Sequence, residues 1–273
     1  MRKVSIGAPG FILMEDMRRD MPGTLRQVAQ LGYDGIELLG FFGHSAQEIR
    51  TWCAQAGLTP YSCFVSLAEL SGESTDPNNP IDAAVAMPGC TTEEKLQYIK
   101  DIGCTYMGLL LPDDPMDETV IAKINRVSRL ARSMGLKAQY HNHAQEYLNR
   151  WQDGYRMDYI MAHTDADLLF EPDLGWMEIG GSRCPDQLRR YADRIEIVHL
   201  KDYYRQAFDT ALPHVFRPTG YGVMDWATLL PLCEKEITPL WYTIDHDKAY
   251  QGKNLLELGM SLDFVRNALR YCD

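Results

Sequence analysis

The chain has 273 residues, 45% hydrophobic and 24% charged, with 27 basic residues against 38 acidic. A chain of this length hides roughly 70–75% of its unfolded surface and builds a full core unaided, and the near-average composition excludes a disordered, collagenous or disulfide-stapled protein. The net charge of -11 leaves no excess positive field for phosphates, so no nucleic-acid partner is expected, and no window approaches the ~20 apolar residues that span a bilayer, so no membrane partner is expected either.

The opening MRKVSIGAPGFILMED has a basic start and an apolar middle. Gly7, Pro9 and Gly10 interrupt that middle, Glu15 and Asp16 end it, and no small-x-small cleavage site follows, so it predicts a buried first strand and a loop rather than a signal peptide. The chain holds seven cysteines: Cys53, Cys63, Cys90, Cys104, Cys184, Cys233 and Cys272. They are scattered, with no CxxC pair, and read as reduced core thiols of a cytoplasmic protein.

One phrase recurs along the chain: an amphipathic helix, a glycine, a short step and an apolar run. It appears around Gly32, Gly57, Gly103 and Gly135, where a glycine that ends a helix in the left-handed conformation would enter a strand. Ser45-Ala-Gln-Glu48 and Thr91-Thr-Glu-Glu94 have capping-box spacing and predict helix starts. Over 117–134, Val120, Ile124, Val127, Ala131 and Met134 share one helical face.

The apolar runs fall at 4–7, 36–39, 61–65, 107–111, 138–141, 168–171, 195–200 and 241–244. They are nearly continuous rather than alternating, as parallel strands covered by helices require. Eight strand–helix units in a chain of this size predict a single α/β domain over residues 1–273, a (β/α)8 TIM barrel. A doubly wound open sheet is the alternative, but no GxGxxG or GxxxxGK[ST] phosphate loop follows any strand. The stretches 71–80 and 203–222 read as long loops above the barrel, acting as walls or lids.

Barrel active sites lie at the carboxyl ends of the strands, so the polar residues closing each run carry the functional signal. Those residues are Glu37, then His141, His143 and Glu146, then Glu171, Asp173 and Trp176, then His199, Lys201 and Asp202, then Asp245 and Asp247. Glu146, Asp173, His199 and Asp245 would supply three oxygens and one nitrogen, a set suited to Mn²⁺, Mg²⁺, Co²⁺ or Zn²⁺ and not to a thiolate metal. Each residue alone also has a structural reading. His141 and His143 alternate on a strand end, so one points inward and the other into the wall. Asp173 and Asp202 are turn or cap residues, Glu37 pairs with an arginine, and Arg217 is a solvated loop arginine.

The phrases LGYDGIEL, YHNHAQEY, Asp-Leu-Gly-Trp, RIEIVHLKD, TGYGVMDW and WYTIDHD, in this order, resemble the sugar phosphate isomerase/epimerase family, the xylose isomerase-like TIM barrels. The resemblance spans essentially the whole chain and lies nearest the branch with a His-Asn-His strand. It implies one divalent metal ion held by Glu146, Asp173, His199 and Asp245. The family usually has Val-Glu-x-Asp where this chain has Ile-Asp-His-Asp, which leaves Asp247 as an alternative fourth ligand. Many relatives also have a histidine on the third strand where this chain has Cys63.

By the same resemblance the activity is that of a metal-dependent isomerase or epimerase of a sugar or keto-sugar, working through an enediolate with Glu146 and Asp245 as the acid/base pair. Glu37, His141, His143, Trp176, Lys201 and Arg217 are the expected substrate-binding residues. The alternative is a dehydratase or lyase acting on an inosose or 3-keto-glycoside by β-elimination after the same proton is removed. A DNA-repair endonuclease needs more histidines and a basic groove, which the net charge opposes. A barrel that binds sugar without metal or catalysis is the remaining class. The expected partner is a small-molecule sugar. A homodimer or homotetramer is compatible with the resemblance, with Tyr203, Tyr204 and Phe208 as loop aromatics available to cover a neighbour.

Overall fold

The apolar runs become eight parallel strands, each followed by the helix that covers it. In a computed structural model, which describes residues 4–111, 117–148, 150–151, 154–205 and 214–272, the strands are β1 (Ser5–Pro9), β2 (Gly35–Leu38), β3 (Thr59–Ser66), β4 (Tyr106–Leu110), β5 (Lys137–His141), β6 (Leu168–Glu171), β7 (Ile197–Leu200) and β8 (Trp241–Ile244). They hydrogen-bond in the order β6-β5-β4-β3-β2-β1-β8-β7. A parallel bridge between Asp173 and His199 joins the two ends of that row, with the His199 N–H donating to Pro172 O at 2.8 Å. The result is the expected TIM barrel, nearly closed. Strand boundaries expected at 168–171 and 241–244 are met without change, and the others shift by one or two residues.

The principal helices on the outside are α1 (Met14–Leu31), α2 (Ala46–Ala56), α3 (Thr92–Ile102), α4 (Glu118–Ser133), α5 (Arg156–His163), α6 (Cys184–Arg190), α7 (Trp226–Leu232) and α8 (Asn254–Leu269). Ser45 and Thr91 form the predicted capping boxes of α2 and α3. Such caps satisfy N–H groups that a helix start leaves open, typically for about 1 kcal/mol. Gly32, Gly57, Gly103 and Gly135 all have positive φ at helix ends, where a side chain would be strained. On α4, Val120, Ile124, Val127 and Ala131 are buried against the barrel and Met134 is partly buried. Each fully buried aliphatic side chain contributes about 1.5–3 kcal/mol of transfer free energy.

The interior of the barrel is layered. At the amino ends of the strands Tyr61, Tyr106 and Ile197 cluster with Leu169 and Trp241. Tyr61 stacks on Trp241 with ring centroids 4.0 Å apart, and its hydroxyl shares a 2.7 Å hydrogen bond with Thr243. Gly7 is required here, because a Cβ at that position would come within 2.2 Å of the Tyr61 hydroxyl. One layer up, Gln139 Nε2 donates to Glu171 Oε1 at 2.6 Å and to Ser62 Oγ at 3.2 Å. A register shift in the β2–β3 ladder between Ile36 and Glu37 leaves Glu37 opposite Ser62. Bulges of this kind re-aim side chains at barrel rims.

None of the seven cysteines forms a disulfide, and Cys90 alone among them is exposed. No helix among the described residues is long and apolar enough to cross a membrane. The expected loop 71–80 leads into a short helix, Pro80–Val85, whose N–H groups at Ile81 and Asp82 bond the Asn79 side chain. The expected loop 203–222 opens with an antiparallel hairpin of Asp202–Arg205 and His214–Arg217. Phe208 lies outside the described residues, Tyr203 is buried and Tyr204 is exposed.

Candidate active site

A strand's inward residues recur at every second position, and four strands use that period to stack polar pairs. These are Gln139 and His141 on β5, Glu171 and Asp173 at the end of β6, His199 and Lys201 at the end of β7, and Thr243 and Asp245 at the end of β8. All eight are buried. Asn142 ties two of these ends together, accepting from the Asp173 N–H at 2.9 Å and donating to Asp173 O at 3.3 Å. The middle residue of His-Asn-His thus continues the β5–β6 ladder past its last strand pair, Glu171 opposite His141.

His199 is the hub. Its Nε2 lies 2.8 Å from Glu37 Oε2 and 3.2 Å from Glu171 Oε1, and its Nδ1 lies 3.3 Å from Asp245 Oδ2. Burial opposes a proton on this ring, but the Glu171 and Glu37 carboxylates outweigh it and hold the pKa well above the usual histidine range. Burial and the charge of Glu37 push the Glu171 carboxyl up to about 8. Burial also lowers the His141 pKa, aided by His199 and His143, so that ring is a neutral donor of a lone pair.

Lys201 forms the second hub. Its ammonium lies 3.0 Å from Asp173 Oδ2, 2.9 Å from Asp245 Oδ2 and 2.9 Å from Asp247 Oδ1. The same nitrogen sits 5.0 Å from the centre of the Trp176 ring and 5.3 Å from that of Phe216, within cation–π range. Burial works against this charge, yet Asp173, Asp245 and Asp247 raise the pKa, so Lys201 stays an ammonium. Asp245, although buried, is held well below the usual carboxylate range by Lys201 and His199. Burial pushes Asp173 up to about 7 against the pull of Lys201. Behind the strand end, His246 Nε2 lies 2.5 Å from Glu257 Oε2 on α8, which anchors the segment carrying Asp245 and Asp247.

His141, Asp173, His199 and Asp245 each offer a ligand atom, and the four atoms lie within 4.8 Å of one another. His141 Nδ1, Asp173 Oδ2 and His199 Nε2 have no aligned hydrogen-bond partner although they are buried. Buried polar atoms of that kind are costly unless something pairs with them. Two imidazoles and two carboxylates, with unaligned buried atoms on His141, Asp173 and His199, fit a divalent ion of the Mn²⁺, Co²⁺, Zn²⁺ or Mg²⁺ kind, which would share the Asp173 and Asp245 carboxylates with the Lys201 ammonium. Glu37, Glu171 and His199 form an adjoining triad with the same spacing.

The structure brings together Asp173, His199 and Asp245 of the expected ligand set, with His141 as the fourth group. Glu146 is buried at the start of the helix Gln145–Leu148, where its Oε2 accepts the His143 N–H at 2.7 Å. Asp247 bonds Lys201 and has its Oδ2 unpartnered. Glu37, His141, His143 and Trp176 border a cavity of about 350 Å³ at this end of the barrel, together with His199, Asp245 and Asp247. Arg217 does not border it; its guanidinium lies over the Tyr204 ring at 5.2 Å. The hairpin nevertheless reaches the site through Phe216, whose ring meets Trp176 at 5.2 Å.

Two plain structural readings also hold. Asp173 caps the helix Leu174–Ile179 by accepting the Trp176 N–H. Asp202 is a turn residue, its buried carboxylate accepting from the N–H groups of Tyr203, Gly220, Gly222 and Met224 and from Trp226 Nε1. Glu171 and Asn142 carry site geometry to which the strand-end pattern assigned no role. The i, i+2 spacing of Glu171 and Asp173 was the available signal for the first, and Asn142 had none.

A sugar phosphate isomerase/epimerase from Parabacteroides distasonis superposes with a TM-score of 0.74 and 17% identity, covering 99% of this chain and 96% of that one. D-allulose 3-epimerase from Methylomonas sp. gives a TM-score of 0.69 at 15% identity, with 98% and 99% covered. Inosose dehydratase of Geobacillus kaustophilus is 26% identical over 200 residues, 66% of this chain and 61% of that relative's length. The profile of the family described as xylose isomerase-like TIM barrel matches residues 25–251. With barrel, strand-end site and profile in agreement, the chain belongs to the xylose isomerase-like TIM barrel family.

Proposed function

We propose that this chain is a divalent-metal-dependent isomerase or epimerase that works at the carbon beside the carbonyl of a sugar or keto-sugar. The convergence of His141, Asp173, His199 and Asp245 on one position beside the cavity carries this reading. These four residues would hold the ion, which when bound supplies a Lewis acid for carbonyl and neighbouring hydroxyl oxygens. Asp247 and Glu37 border the cavity from β8 and β2, two strands apart in the ring, and both have unpartnered carboxylate oxygens. One of them takes the proton α to the carbonyl and the other returns it, which is general acid–base work by two positioned carboxylates. Lys201 holds Asp247 and Asp245 in register, and His143 reaches substrate hydroxyls. Trp176 offers a face for the sugar ring.

The second reading keeps the proton abstraction and changes the next step, expelling a β-oxygen from an inosose or 3-keto-glycoside. The relative named inosose dehydratase favours it. Product mass in D₂O separates the two: deuterium incorporation with the carbon skeleton and oxygens retained supports isomerisation, and loss of water or an alcohol supports elimination. With Mn²⁺ supplied, no deuterium exchange and no mass change across keto-sugars and inososes would overturn both.

A further inference from the structure

The cavity is chemically divided along the barrel's own ring. Its polar border comes mainly from the consecutive strands β5 to β8, as His141, His143, His199, Asp245 and Asp247, with Glu37 of β2 added. The other half, from β1 to β4 and the loop after β3, presents Phe11, Leu39, Phe64, Ile81 and Leu110. Phe11 is 39% exposed, and Phe64, Ile81 and Leu110 are also only partly covered, so this wall has apolar surface left to bury. A hexose carries hydroxyls all round its rim, and each hydroxyl pressed on such a wall would lose its water without gaining a partner.

Among the described residues no arginine or lysine borders the cavity. Lys201, just behind it, is already engaged by three carboxylates. A phosphate would meet carboxylates without a free cation to receive it.

We propose that the site takes an unphosphorylated keto-sugar bearing an apolar substituent, a glycoside with a hydrophobic aglycone seated on the Phe11–Phe64–Ile81–Leu110 wall. This assignment rests on the function proposed above and deepens it. The sugar's carbonyl and hydroxyls face the β5–β8 half, and the aglycone displaces water from the β1–β4 half. Even one methylene gained or lost in an apolar pocket discriminates by roughly 10–200-fold.

The test is calorimetric binding of methyl and phenyl 3-oxo-β-D-glucosides, and of the methyl compound's 6-phosphate, to the Mn²⁺-supplied full chain, with product analysis alongside. The phenyl compound is expected to bind at least about tenfold tighter than the methyl one, and the phosphate no tighter than its parent. In Ile81→Asn and Leu110→Ser the phenyl-to-methyl ratio falls towards one. Equal affinities, tighter binding of the phosphate, or no binding of any of the three overturns the assignment. Binding preference without chemical change overturns the proposed reaction and leaves the assignment standing, whereas turnover without preference does the reverse.

Discussion

The two ends of the barrel interior handle buried polarity in opposite ways. At the amino ends, Tyr61 and Thr243 bond each other, and Tyr106 donates to Glu196, which also pairs with Lys137. At the carboxyl ends, Glu37, His141, Glu171, Asp173 and His199 all keep buried atoms without an aligned partner. Unpaired buried groups weaken a fold, so their concentration at one end marks where stability has been given up for binding and chemistry. The same backbone ring supports both, because the amino-end layer fixes the strands from which the site residues project.

The largest expected effect lies in the satisfied layer. Tyr61→Ala removes a fully buried ring stacked on Trp241 and should lower unfolding free energy by about 3–5 kcal/mol in urea titration. A cost below about 1 kcal/mol would mean that the amino-end layer does not hold the barrel.

Next is Asp202→Ala, which strands five N–H donors gathered on one buried carboxylate. It should cost about 3 kcal/mol, and hydrogen exchange should speed up at 220–226 before it does in β1–β5. Uniform exchange would show that Asp202 is not what anchors this loop.

The smallest stability change is expected in the unsatisfied layer. Glu171→Gln keeps an acceptor for Gln139 and removes a buried carboxylate with an orphaned oxygen. In chelator and below about pH 8, where the Glu171 carboxyl already carries its proton, the effect should stay within about 1 kcal/mol of the wild type. A loss of several kcal/mol would place Glu171 with the satisfied layer instead.

Much of this architecture is legible in the residues. The eight apolar runs and the Ser45 and Thr91 caps mark strand and helix positions because burial and capping act locally, within a few residues of chain. The strand-end residues Asp173, His199 and Asp245 converge because topology alone sends strand ends to one rim. Glu146 sits on a turn that strand-end position alone does not specify. It belongs to the same phrase as His141, Tyr-His-Asn-His-Ala-Gln-Glu, and only the turn that folds its carboxylate back onto the His143 N–H separates the two. The role of Asn142 depends on the neighbouring strand's backbone, and that of Phe216 on the hairpin's fold, so neither is visible in local pattern.

Elemental analysis of protein purified without chelator decides whether His141, Asp173, His199 and Asp245 form a divalent-ion site. About one equivalent of a divalent ion per chain is expected, lost in His141→Gln, Asp173→Asn and Asp245→Asn and kept in Glu146→Gln. A metal-free wild type whose melting temperature does not rise with added Mn²⁺ or Co²⁺ would contradict it.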